Sequence, residues 1–315
     1  MSGYSIWILE YGYVDRFPAS NLFAAQPNQG HRRMPYCFGL VRSADRCILV
    51  DTGFWDPATH DRLTTKYGKT FWQPPREIVQ RAGVRAEDVD TVVLTHNHFD
   101  HAGCVPDFPN AHVYIQEEEI ASFRASQKLP PQFRFLLNTC QLDLPDELDR
   151  RAAENLSTLV PGEAALCEGI RLQPAFGTHT AGSQFVVVDN AADGRWIFAG
   201  DNMYQYENVE GLAGDGIMVP IAMSTGSPTT WLHTIDSVVS SLDGDARRIL
   251  PFHEGKVWNQ FPSVEFDDGL HLAEVSLAGG HPSVGPFPPR LPPPPPGSAG
   301  DARRYRPRPP RSLSP

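Results

Sequence analysis

Residues 91–103 read TVVLTHNHFDHAG, with three histidines and an aspartate inside six residues, straight after a run of apolar and β-branched side chains. The run reads as a short buried strand and the histidine-rich segment as the turn that leaves it. His96, His98, Asp100 and His101 form the pattern HxHxDH. If the strand continues in extended form past Thr95, alternate residues share a side. That geometry sends His96, His98 and Asp100 the same way, with His101 next in the turn. Imidazole nitrogens and carboxylate oxygens without thiolates fit zinc, with iron or manganese as alternatives.

A metal site needs further ligands, and three polar residues stand where apolar runs end. His179 lies in AFGTHTAG after GIRLQPAF, Asp201 closes RWIFAGD, and His253 follows RRILPF. Upstream, Asp51 in ILVDTG is also readable as a turn residue before Gly53. Strand-like runs include YSIWILEYGYV, YCFGLV, RCILVDTG, AHVYIQ and SQFVVVDN. PPREIVQRAGV, EEEIASFRAS, PDELDRRAAENL and PTTWLHTIDSVVSSL read as helices, whereas residues 127–144 read as irregular. Strands and helices interleave in both halves, which predicts two packed sheets with helices outside.

The chain has 315 residues, 41% hydrophobic and 20% charged, a globular composition. The segment from Pro282 onward holds 13 of the 30 prolines and six arginines against one aspartate. It is expected to be an extended or disordered tail (282–315) behind one catalytic domain (1–281). Since the whole chain is at −10, residues 1–281 are at −15, and an acidic body argues against nucleic acid as a partner. No signal peptide and no membrane span are expected. The five cysteines, an odd number without a CxxC, read as reduced thiols in a cytoplasmic protein. No oligomeric state follows from the sequence.

HxHxDH followed by His, Asp and His at strand ends, and preceded by LVDTG, resembles the metallo-β-lactamase superfamily over residues 5 to about 260. The resemblance implies an αββα sandwich of two mixed β-sheets flanked by helices, with a dinuclear zinc site at the open edge between the sheets. It assigns His96, His98 and His179 to one zinc, Asp100, His101 and His253 to the other, and Asp201 to both. Asp51 corresponds to an aspartate that supports the ligand loop. The implied reaction is hydrolysis by a hydroxide held between the metals.

Within that superfamily, HFDHAG, the hairpin MPYCFGLVRSADRCILVDTG and Tyr204 in DNMY are similar to the N-acyl homoserine lactone lactonases. That similarity implies a lactone or related small ester as substrate. Tyr204 would donate to the carbonyl oxygen and Asp100 would protonate the leaving alkoxide, with Tyr206 competing for the tyrosine role. GTHTAGS departs from the family wording, since Ser183 stands where a second histidine is usual. Residues 127–144 and 211–227 also differ, and such loops line pockets. The alternatives are another cyclic ester or amide, a thioester or a phosphodiester as substrate, or a non-catalytic binding protein with the tail as its working part. Cys104 reads as a small buried filler. Trp55, Phe71 and Trp72 are candidates for an apolar acyl-chain cleft, or for the core.

Overall fold

The N-terminal run of aromatic and β-branched residues forms β1 (Ser5–Pro18), and β2 (His31–Arg42) folds back on it antiparallel. The first ten residues of β1 are all buried, so the segment lacks the polar alternation of a half-exposed strand. β3 (Cys47–Val50) pairs antiparallel with β2, and β4 (Thr70–Trp72) with the distal half of β1. β5 (Thr91–Val93), β6 (His112–Gln116) and β7 (Ser157–Val160) then extend the sheet in parallel. The second sheet comprises β8 (Ala164–Cys167), β9 (Ile170–Pro174), β10 (Gln184–Asn190), β11 (Gly194–Gly200) and β12 (Ile249–Pro251), antiparallel except for the β11–β12 pair. β13 (Ser263–Glu265) and β14 (His271–Ser276) return to the first sheet beside β1. This computed structural model describes residues 3–279 together with His281 and Ser283. The expected Pro- and Arg-rich tail, Ser283 apart, lies outside the described residues.

The sheets are mixed and flanked by helices, as expected. α1 (Pro57–Tyr67) and α2 (Pro75–Arg81) pack on β1. α3 (Phe99–Ala102) is a single turn inside the histidine-rich segment, while α4 (Glu117–Gln127) packs on β6 and α5 (Leu144–Ala153) on β7. Beyond the short α6 (Glu207–Glu210), α7 (Pro228–Ser240) buries Trp231, Ile235, Val238 and Val239. The Trp231 indole N–H donates to the Asn202 carbonyl at 2.7 Å, which ties α7 to the residue after Asp201. α8 (Val257–Gln260) packs on β13 and β14.

The sequence reading placed no element over 57–67, yet α1 has clear end signals. Asp56 accepts from the Thr59 N–H at 2.8 Å, Pro57 opens the helix, and Gly68 follows it. Only Leu63 of α1 is buried, so the apolar period that marks a helix is missing. β4, β7, β8, β13 and β14 also went unread.

Gly39 on β2 sets how closely the two sheets approach. A Cβ there would meet the Phe198 ring of β11 at 2.4 Å. Gly39→Ala is therefore expected to cost about 1–3 kcal/mol through overpacking. The check is a lower midpoint in denaturant unfolding at constant m-value; an unchanged midpoint would show that the ring can move aside.

Candidate metal centre

All seven predicted ligands come together, and each is buried. β5 stops at Val93, and His96 and His98 follow it in a loop. His179 lies in the loop after β9, Asp201 directly after β11 and His253 just after β12. The side-chain ligand atoms fall into two groups, each within 4.8 Å: His96, His98, His179 and Asp201, then Asp100, His101 and His253.

One expectation is corrected here. The extended projection grouped Asp100 with His96 and His98, but the backbone turns helical at Phe99. The N–H groups of His101 and Ala102 both donate to the His98 carbonyl, at 3.1 and 2.9 Å. That turn swings Asp100 round to His101 and His253.

Asp201 faces both groups. Its Oδ1 lies 3.1 Å from Nε2 of both His101 and His253, and its Oδ2 lies 3.4 Å from His179 Nε2 and 3.8 Å from His96 Nε2. Gly200 makes this placement feasible: at φ 52 it adopts a left-handed conformation, and a Cβ would meet Thr95 Oγ1 at 2.4 Å. Strand β11 can thus end against the histidine loop.

The donor chemistry fits divalent cations. His96 Nε2, His101 Nε2, His253 Nε2 and Asp201 Oδ1 are buried and have no hydrogen-bond partner, although such atoms are costly to leave unpaired. Their remaining nitrogens are committed elsewhere. His101 Nδ1 donates to Asp51 at 2.7 Å and His253 Nδ1 to the Pro35 carbonyl at 2.8 Å, which turns both Nε2 atoms towards the cluster. Burial, reinforced by neighbouring imidazoles, holds His96 and His98 well below the usual histidine range. Burial also lowers His179, to about 4. These three therefore stay neutral, the form that binds metal. Burial pushes Asp201 up, but His101 and His253 outweigh it and hold the carboxyl well below the usual range. His101 shows the converse: burial lowers it, yet Asp201, Asp100 and Asp51 together hold it well above.

Asp51 supports the ligand loop and is itself strained at φ 64. Its carboxylate accepts from the Thr95 N–H and the Thr95 hydroxyl, both at 2.7 Å, besides His101. An asparagine has one oxygen for these three donors. Asp51→Asn is expected to weaken metal affinity by about 10–100-fold, as measured by chelator competition; unchanged affinity would reduce Asp51 to a turn residue.

The loops that departed from the family wording are built into the site. Residues 138–141 run beside the ligand loop, with Phe99 N–H donating to the Thr139 carbonyl at 2.8 Å and Gln141 N–H to the Asn97 carbonyl at 3.1 Å. The Ser224 hydroxyl and the Thr225 N–H both donate to the His179 carbonyl. Ser183 donates to the Ala175 carbonyl at 2.9 Å, bracing the His179 loop from within.

A cavity of about 210 Å³ opens on the ligands, reaching His98, Asp100, Asp201 and His253. Tyr204 lines it, its ring centroid 5.8 Å from those of both His179 and His253. Tyr206 points away, donating its hydroxyl to the Ile249 carbonyl at 3.3 Å with the Arg247 guanidinium over its ring. Burial first, then Asp201 and Asp100, push the Tyr204 phenol well above its usual range, so it keeps its proton. The candidate aromatics Trp55, Phe71 and Trp72 do not line this cavity: Trp72 is core, Phe71 stacks on Tyr13, and Trp55 is exposed against His60. Phe17, Met34, Tyr36, Tyr67 and Phe99 line it instead, together with Arg62 and Lys66 of α1. The sequence reading missed these, and only α1's end signals pointed towards the last two. Cys104 is buried as expected, and all five cysteines are free.

Residues 38–253 match the metallo-beta-lactamase superfamily. The chain belongs to that superfamily. A probable metallo-hydrolase of Mycobacterium tuberculosis is 28% identical over 183 residues, 55% of this chain and 58% of its own length. An N-acyl homoserine lactonase of Bacillus cereus is 27% identical over 187 residues, 56% of this chain and 66% of its own. The chain thus spans under two thirds of the length of these superfamily relatives. Among solved structures, a Bacillus thuringiensis AiiA variant with N-decanoyl-L-homoserine at its active site aligns at a TM-score of 0.63, with 19% identity, 82% of this chain and 97% of that one covered. AidC, a dizinc quorum-quenching lactonase, aligns at a TM-score of 0.58 and 17% identity, over 88% of this chain and 97% of that one. Identities this low speak for the metallo-β-lactamase fold alone. Among the described residues, no helix is long and apolar enough to cross a membrane.

Proposed function

We propose that the protein is a metal-dependent hydrolase that opens a lactone of the N-acyl homoserine lactone kind, using two zinc ions held by the seven ligands. The observation that carries this reading is Asp201, with one carboxylate oxygen towards each histidine group, beside Tyr204 in the same cavity. When bound, two divalent ions would activate water at neutral pH and polarise an ester carbonyl. The chain supplies the rest. Tyr204 donates a hydrogen bond to the carbonyl oxygen as negative charge grows there. Asp100, which lines the cavity with its carboxylate 3.7 Å from His101 Nε2 and 3.6 Å from His253 Nε2, carries a proton to the leaving alkoxide oxygen. Tyr36, Phe99 and Met34 wall the cavity and keep bulk water from the reacting ester.

The lactonases among the relatives support this substrate class, as does the acidic body, which repels phosphodiester polymers. The test is metal analysis of purified protein coupled to assays on lactone, thioester and phosphodiester substrates. Two zinc equivalents with lactone opening fastest is the expected result. Faster phosphodiester turnover, or a single metal equivalent at full activity, would overturn it.

A further inference from the structure

We infer that the site selects a substrate carrying an anionic group, held by Arg62 and Lys66 at the rim of the metal cavity. The inference rests on the hydrolase reading above and specifies its substrate. Arg62 and Lys66 stand four residues apart on α1, so they share one helix face and both reach the cavity that ends on His98, Asp100 and His253. Both are exposed, and neither has a carboxylate partner among the described residues. The Lys66 ammonium lies 4.8 Å from the Tyr67 ring centroid, and that ring also lines the cavity. The capping acid of α1, Asp56, is engaged at the helix start by Thr59.

The charge balance sharpens the point. With residues 1–281 at −15, two cations without a carboxylate partner stand out at the mouth of the cavity, whose other charged lining residues, Asp100 and Asp201, belong to the metal cluster. The cavity is lined by buried His98, Asp100, His253, Met34 and Tyr36 and by the exposed Arg62 and Lys66. The cavity beside the cations holds about 210 Å³, and a second one of about 280 Å³ shares its His98, Asn138, Thr139 and Met223 lining. A small ester fits, with its carbonyl by the metal ligands and a carboxylate or phosphate by the cation pair. A guanidinium and an ammonium together serve either anion.

The test compares homoserine lactone N-acylated with succinate, which ends in a carboxylate, with its terminal carboxamide. Wild-type, metal-loaded protein is expected to open the carboxylate form with a kcat/KM about tenfold higher. Arg62→Gln with Lys66→Gln should bring that ratio to about one, and so should roughly 0.5 M NaCl. Both side chains are exposed, so the double variant should fold, as circular dichroism would check. Equal kcat/KM for the two lactones in wild type, or a preference that survives in the double variant, overturns the inference. If neither lactone opens, the lactonase reading fails separately. Calorimetry with ring-opened N-succinyl-homoserine then decides: binding about tenfold weaker in the double variant supports the cation pair, and equal affinity rejects it.

Discussion

Asp201→Ala is expected to lower lactone opening by at least about 10³-fold and to reduce metal content at both ligand groups. The reason lies in the geometry of one carboxylate. Its Oδ1 sits 3.1 Å from both His101 and His253 Nε2, while its Oδ2 faces His179 and His96. Removing it leaves six imidazole or carboxylate ligands, with only Asp100 to offset up to four positive charges. Ions held by fewer charges bind more weakly and repel each other more strongly. Because Asp201 is buried, the alanine variant needs a folding control, and Asp201→Asn keeps the volume while removing the charge. Metal analysis and kcat/KM on both variants check the result. Full metal content with activity reduced less than about tenfold would remove Asp201 from the centre of the site.

The second large effect is expected from Tyr204→Phe, with kcat reduced about 10²-fold, KM little changed and metal content intact. Tyr204 lines the cavity between His179 and His253, and its phenol stays protonated through burial. Tyr206→Phe supplies the contrast. Its hydroxyl bonds the Ile249 carbonyl, so the loss should be about 1 kcal/mol of stability with kcat unchanged. The reverse pattern, with kcat falling only in the Tyr206 variant, would exchange the roles of the two residues.

The clustered side chains were legible in the sequence for a physical reason. Strand ends and the turns after them are where a buried apolar run meets polar residues, so His96, His98, His179, Asp201 and His253 stand out against their surroundings. The helix α1 did not stand out, because a helix with one buried residue lacks an apolar stripe and only Asp56, Pro57 and Gly68 betray it. Nor did the pocket wall, since Phe17, Met34, Tyr36 and Tyr67 come from three separate elements and share no local pattern.

Residue types and their order along the chain are enough to announce a nitrogen- and oxygen-ligated cluster on a layered α/β scaffold, because both metal coordination and strand burial leave marks within a few neighbouring positions. The resemblance already implied which residue joins which group, but local strand geometry alone put Asp100 with His96 and His98, and the physical reason it lies elsewhere is visible only in three dimensions. A single helical turn at Phe99 moves Asp100 from the first trio to the second, and β11, ending at Gly200, lets one carboxylate reach both. The same holds for the choice between Tyr204 and Tyr206, and for the cations over the cavity. Side-chain direction at a loop, and contacts between residues over a hundred positions apart, depend on packing between layers and leave no trace in the local sequence.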